Sequence, residues 1–254
     1  YYIPPKIWVW RRGRIRQLRE LFARVLCILP FEEEFYRGER VAVRYVGNPL
    51  LDELPLGLTR RQARVDLGLK QDDLVLTVLP GSRPSELARH VPLMVAAAGQ
   101  VALRLRAEGK LLPDARLTLC VPLPQMARLD EMARLAVASM PTSTLGAVDL
   151  RVSQGDSAKA LVAADAGLIK SGTSTLEAAL LGCPHAVVYR ASWLTSVLFR
   201  RVVRYKGPVG LVNLVGSWKP GVSGSSTSAE TPRIAREILL EDVTEESLAD
   251  EAYR

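Results

Sequence analysis

The sequence predicts an α/β protein built on a parallel, doubly wound sheet. Two observations carry this. Short β-branched runs alternate with stretches of helical spacing between residues 25 and 189, the pattern of strands joined by helical crossovers. Two turns of small residues, at 80–85 and 170–175, each follow an apolar run and open a helical one. Open α/β sheets carry their ligands on that edge.

The elements follow in order. From Arg14 to Phe22, helical spacing puts Ile15, Leu18, Leu21 and Phe22 on one face and Arg16, Arg19 and Glu20 outside it. Val25–Leu29 reads as a buried strand stopped by Pro30, and Phe31–Tyr36 as a helix start. Val41–Val46 is a strand ending at Gly47-Asn48-Pro49. These pieces read as the end of an α/β layer whose beginning is absent. The opening Tyr1-Tyr-Ile-Pro-Pro5, with no initiator Met, reads the same way.

Residues 50–72 form a linker with a short helix, Thr59–Leu67. Leu74–Leu79 is a strand, Pro80–Pro84 a turn, and a helix follows through Glu86–Leu105. Arg116–Val121 is a strand, Gln125–Ala138 a helix, Asp149–Val152 a strand edge and Ser157–Ala164 a helix. Ala166–Ile169 is the strand before the second turn. A short helix then stops at Gly182 and Pro184, and Ala186–Tyr189 is the next strand. Residues 193–206 mix large apolar and cationic side chains. They fit an anionic membrane surface or a segment docked on the protein with snorkelling Arg. Residues 216–231 read as a loop and the remainder as acidic and helical. The expected division is 1–48 (end of a truncated α/β domain), 49–206 (a Rossmann-like domain) and 207–254 (loop and helices).

A hydrophobic share of 48% beside 24% charged residues gives a globular chain an adequate core. A net charge of +7 and a pI near 9.5 favour an anionic partner. Nucleic acid is the weakest of these, since no nucleic-acid-binding module appears. Cys27, Cys120 and Cys183 lie far apart in apolar settings, without zinc-ligand spacing. They read as buried thiols of a reducing compartment. No apolar run approaches the roughly 18 residues of a membrane span.

Chemistry concentrates in the two turns. In Ile169–Tyr189, Ser171-Gly-Thr-Ser174 offers backbone N–H groups and hydroxyls at a helix start, which suits a phosphate. Glu177 follows within about one helical turn and can accept from sugar hydroxyls. Ser174-x-x-Glu177 is equally a capping box, which needs no ligand. In Leu79-Pro-Gly-Ser-Arg83, Gly81 permits a tight turn and Ser82 donates. Arg83 brings a planar fork matched to phosphate oxygens. The plain alternative is a surface Arg83, with Glu86 paired to Arg83 or Arg89. His90 and His185 read as structural, and Trp8 and Trp10 as core residues.

A set of segments in one order resembles a known family. They are Pro5-Lys-Ile-Trp-Val-Trp-Arg11, Pro30-Phe-Glu-Glu-Glu-Phe-Tyr36, Tyr45-Val-Gly-Asn-Pro-Leu50, Leu79-Pro-Gly-Ser-Arg-Pro-Ser-Glu86, Ser171-Gly-Thr-Ser-Thr-Leu-Glu177, Pro184-His-Ala-Val-Val-Tyr189 and Asn213-Leu214. The chain resembles the lipid-A-disaccharide synthases, two-domain glycosyltransferases of the GT-B type. The resemblance implies transfer of 2,3-diacylglucosamine from its UDP derivative to 2,3-diacylglucosamine 1-phosphate (lipid X). The products are the lipid A disaccharide phosphate and UDP.

On the matching positions it assigns UDP contacts to Ser82, Arg83, Ser171, Gly172, Thr173, Ser174, Glu177 and Asn213. Arg83 would stabilise the departing diphosphate. It implies no cofactor and no metal, a cytoplasmic protein peripheral on the inner membrane, and leaves a homodimer open. A non-catalytic UDP- or anion-binding module and another GT-B UDP-sugar enzyme are the competing readings.

Three departures stand out. The family's general base lies in the N-terminal domain, so this chain alone is expected not to transfer sugar. Asn48 stands where many members have His. Residues 216–228 depart from the family pattern in a way a local frameshift explains, so no contacts are assigned there.

Overall fold

The computed structural model describes residues 1–5, 7, 12–190, 207–218 and 233–254. In chain order the elements are α1 (Ile15–Leu21), β1 (Val25–Cys27), α2 (Pro30–Gly38), β2 (Val43–Tyr45), α3 (Leu50–Glu53), α4 (Arg60–Asp66), β3 (Val75–Leu79), α5 (Pro84–Ala107) and β4 (Leu117–Leu123). They continue with α6 (Leu129–Ala138), β5 (Val148–Gln154), α7 (Ser157–Ala163), β6 (Ala166–Lys170), α8 (Ser174–Leu180), β7 (His185–Tyr189), α9 (Leu211–Gly216), β8 (Glu237–Leu239) and α10 (Glu245–Tyr253).

The chain forms two compact units. The smaller holds residues 1–53, and of the later described residues 207–218 and 233–234 fall with it. Its β1 and β2 pair in parallel, Val25 opposite Val43. Ile15 and Leu18 of α1 and Tyr36 of α2 pack with Ile7, Val25 and Val41 into its core. Buried Tyr36 donates its hydroxyl to the Pro5 carbonyl at 3.0 Å, which satisfies the one polar atom of that side chain.

The larger unit, Leu54–Arg190 with Ala235–Arg254, is a six-stranded parallel sheet in the order β5-β4-β3-β6-β7-β8. Its strands β3 and β4 are buried along their whole length, as a helix-covered parallel sheet requires. Leu76 and Val78 of β3 face the core under α5 and α10. Val75 and Leu79 of the same strand face the core with Ala63 of α4, Ala160–Ala163 of α7 and Ala178 of α8. The alternation within β3 is the period-two strand pattern.

This division differs from the three segments expected from sequence. The first boundary falls at Glu53, and the chain after 234 returns to the larger unit. It returns because β8 pairs with β7, Val187 opposite Glu237. A three-residue strand carries too little pattern to be read from sequence. The helix placed at Gln125 begins at Leu129, after a turn closed by the Ala127 N–H on the Pro124 carbonyl. The membrane reading of 193–206, the frameshift reading of 219–228, and Lys6 with Trp8–Arg11 lie outside the described residues. No helix among the described residues is long and apolar enough to cross a membrane.

The strand order fixes one special place. From β3 the chain moves outward to β4 and β5, while from β6 it moves the other way to β7 and β8. β3 and β6 lie side by side, Leu79 opposite Ile169. Connections that leave neighbouring strands in opposite directions open a crevice at their carboxyl ends. Both small-residue turns start there.

Candidate functional site

Glycine makes the first turn. Gly81 adopts φ +120°, a conformation that side chains rarely tolerate. The chain then enters α5 with Pro84 in its first turn, where the missing N–H costs no bond. Ser82 is exposed, and the Arg83 side chain is 80% exposed.

The amides of this turn are engaged by the chain itself. Glu86 Oε2 accepts the Ser82 N–H at 3.0 Å and the Arg83 N–H at 3.3 Å. Its Oε1 accepts from Lys170 Nζ at 2.8 Å, and Arg83 Nη1 lies 3.6 Å away. Burial by itself raises the Glu86 pKa. The Lys170 hydrogen bond and charge and the two amides outweigh it and hold the carboxyl at about 2. At neutral pH Glu86 is therefore ionised, committed to donors on both oxygens, and a poor general base.

The second turn is different. The Ser171 N–H donates to the Val188 carbonyl at 2.7 Å, tying the turn to β7. The next three amides, of Gly172, Thr173 and Ser174, donate to nothing among the described residues. α8 starts at Ser174, and its N-cap Thr173 has helical backbone angles and no side-chain cap. Ser174 thus sits inside the helix, and the expected Ser174–Glu177 capping box does not form. Glu177 lies in the first turn of α8, and the Thr175 hydroxyl donates back to the Gly172 carbonyl at 2.9 Å.

Gly172 lies outside the left-handed region. Among the described residues a Cβ there meets only the Lys170 carbonyl, at 3.9 Å. The fold accepts a side chain at 172, whereas at Gly81 a Cβ would sit 2.6 Å from Glu86 Oε2. One glycine answers to the fold; the other has no such reason.

The structure brings Ser82, Arg83, Ser171, Gly172, Thr173, Ser174 and Glu177 to the ends of two neighbouring strands, which in a sheet run about 4.8 Å apart. Asn213 belongs to α9 in the other unit and is 1% exposed. Both histidines are held by backbone. His90 Nδ1–H donates to the Glu86 carbonyl at 2.8 Å, and its Nε2 accepts the Arg190 N–H at 3.3 Å. His185 Nδ1–H donates to the Cys183 carbonyl at 2.9 Å. Burial lowers the pKa of both, so both are neutral. Cys27, Cys120 and Cys183 are free and buried, with pKa values raised by burial. Among the described residues no three His, Cys, Asp or Glu side chains are grouped to hold a metal ion.

Sequence reasoning missed the Glu86–Lys170 pair. Glu86 does meet Arg83, one of the two partners read from sequence, at 3.6 Å, but its closer partner ends the neighbouring strand, 84 residues away. The available signal was a lysine closing an otherwise apolar strand on the ligand edge.

Comparison with known proteins places the chain. The family model described as lipid-A-disaccharide synthetase matches residues 1–219. The chain belongs to the lipid-A-disaccharide synthetase family. Within this family it is 37% identical to the lipid-A-disaccharide synthase of Anaeromyxobacter dehalogenans strain 2CP-C, over all of this chain and 58% of the relative. The Myxococcus xanthus enzyme of that name matches equally, at 37% identity over 100% of this chain and 58% of its own length. The chain therefore spans somewhat over half the length of these synthases. Among solved structures, Anabaena HepE in complex with UDP and glucose aligns with 95% of this chain and 56% of its own, at 11% identity and a TM-score of 0.42.

Proposed function

We propose that the larger unit is the donor-binding half of a GT-B lipid-A-disaccharide synthase and that its two turns grip the diphosphate of UDP-2,3-diacylglucosamine. Family membership supports the reaction. One observation supports the site: three helix-terminal amides without a partner among the described residues, with an exposed arginine on the turn after the neighbouring strand, at the switch point of a parallel sheet. An acceptor hydroxyl of lipid X attacks the anomeric carbon of the donor sugar. The bond to the diphosphate oxygen breaks, and UDP leaves with the electron pair.

Negative charge therefore grows on the diphosphate as the bond breaks. The Arg83 guanidinium and the Gly172–Ser174 amides stabilise that charge more than the ground state. The Ser82 hydroxyl donates to the same group, and Glu177 accepts from the ribose hydroxyls. The acceptor's proton goes to a base supplied by the part of the synthase that these 254 residues do not span. Lipid substrates and a net charge of +7 favour work at an anionic membrane surface, on its cytoplasmic face.

Arg83 tests this reading. Its side chain is exposed, so Arg83→Ala should leave the melting temperature within the range of an ordinary surface change. Affinity for UDP, measured by titration calorimetry, should fall about tenfold or more, as for a lost charge-assisted hydrogen bond. Equal UDP affinity in the two proteins would remove Arg83 from the donor site.

A further inference from the structure

The two turns are joined by one partly buried ion pair that no site residue predicted from sequence includes. Glu86 and Lys170 are 13% and 17% exposed. Glu86 rises from the first turn of α5, and Lys170 is the last residue of β6, directly before Ser171. One carboxylate oxygen holds the Ser82 and Arg83 amides, and the other holds the Lys170 ammonium. Gly81 wraps so closely around Glu86 that a Cβ there would lie 2.8 Å from the Glu86 Cβ as well.

Such a pair is a costly way to gain stability. Desolvating two charges cancels much of their attraction, and apolar side chains of similar size do as well. What the pair supplies is position. It locks the end of β6 to the start of α5 across the crevice between them. It also removes two charges and two amides from competition for an anion. Arg83, the Ser82 hydroxyl and the amides of the second turn are then what the crevice presents.

We propose that Glu86 and Lys170 are positioning residues for the donor: their bridge fixes the spacing between the Ser82–Arg83 turn and the Ser171–Ser174 turn, so that one diphosphate meets both. This rests on the donor-site reading above. Neither residue touches the reacting atoms.

The test uses Glu86→Gln, Lys170→Met and the double variant of this chain. Glutamine still accepts from the Ser82 and Arg83 amides, so Glu86→Gln removes the bridge and keeps the cap. Two quantities are read: UDP affinity by calorimetry, and amide hydrogen exchange of peptides covering 80–83 and 171–174 without ligand. Exchange should quicken in both turns in either single variant, while β4 and β5 exchange as in the parent. UDP affinity should fall at least tenfold in each single variant, and the double variant should fall no further, because one bridge is lost once.

A merely local cap, which Glu86→Gln retains, would leave both turns exchanging at the parent rate in that variant. That pattern overturns the proposal, as does Lys170→Met leaving 80–83 at the parent rate. Unchanged UDP affinity in both single variants also overturns it. A parent chain that binds no UDP sinks the donor-site reading, while the exchange data still decide whether the bridge couples the turns. Should Glu86→Gln fail to fold, Lys170→Gln carries the same comparison from the other side.

Discussion

Gly172→Ala separates a ligand's demand from the fold's. At Gly172 the backbone lies outside the left-handed region. Among the described residues the nearest atom to an added Cβ is the Lys170 carbonyl at 3.9 Å, an ordinary van der Waals contact. Replacing glycine at such a site restricts the unfolded chain and stabilises by about 0.4–1 kcal/mol. The variant should melt at or slightly above the parent temperature. A phosphate bound by the Gly172–Ser174 amides must approach the backbone where the new methyl stands. Losing one charge-assisted hydrogen bond there costs about 1.5–3 kcal/mol, which is roughly ten- to 150-fold in Kd. Thermal melting and calorimetric UDP titration of the two proteins give both numbers. A variant that melts like the parent and also binds UDP like the parent would refute the phosphate cradle.

Three further outcomes follow from the same geometry. Gly81→Ala should destabilise by roughly 1–3 kcal/mol, seen as a lowered melting temperature, because it combines φ +120° with a Cβ 2.6 Å from Glu86 Oε2. Arg64 is 1% exposed and donates to the carbonyls of Ala163, Lys70 and Gln71 and to Asp165 Oδ2, at 2.6–3.2 Å. Arg64→Met should cost about 3–5 kcal/mol in urea unfolding, without selective loss at the turns on the opposite sheet edge. Glu86 has a lower pKa folded, about 2, than its ordinary 4.5. The folded state therefore binds fewer protons, and this stability is complete above 4.5 and drains as pH falls towards 2. Urea midpoints across that window should fall less steeply in Glu86→Gln. The slope that begins below the ordinary His value of 6.5, from His90 buried neutral, should persist in both.

Legibility followed physical range. The strand at 74–79 and the helices near 59–67 and 157–164 were readable to within a residue or two, because apolar periodicity and caps are local. Thr59 accepts the Gln62 N–H as N-cap, which is visible as a threonine before a helical run. β8 was not readable, since three residues become a strand only by lying beside β7. Arg64 looked like one cation among many in 59–67. Its burial depends on Asp165 and three carbonyls brought from 6 to 101 residues away.

The sequence by itself determined that this is a parallel α/β chain, which family it resembles, and where its two small-residue turns fall between strand and helix. Glycine freedom, strand periodicity and helix caps act over a few neighbouring residues, so the order of residues specifies them directly. The tertiary structure decided what each turn has to offer. It filled the amides of the Ser82–Arg83 turn with Glu86, left those of Gly172–Ser174 without a partner among the described residues, and joined the two through Lys170. That outcome depends on β3 and β6 lying side by side, and electrostatic partners across a sheet are set by strand order, not by spacing along the chain.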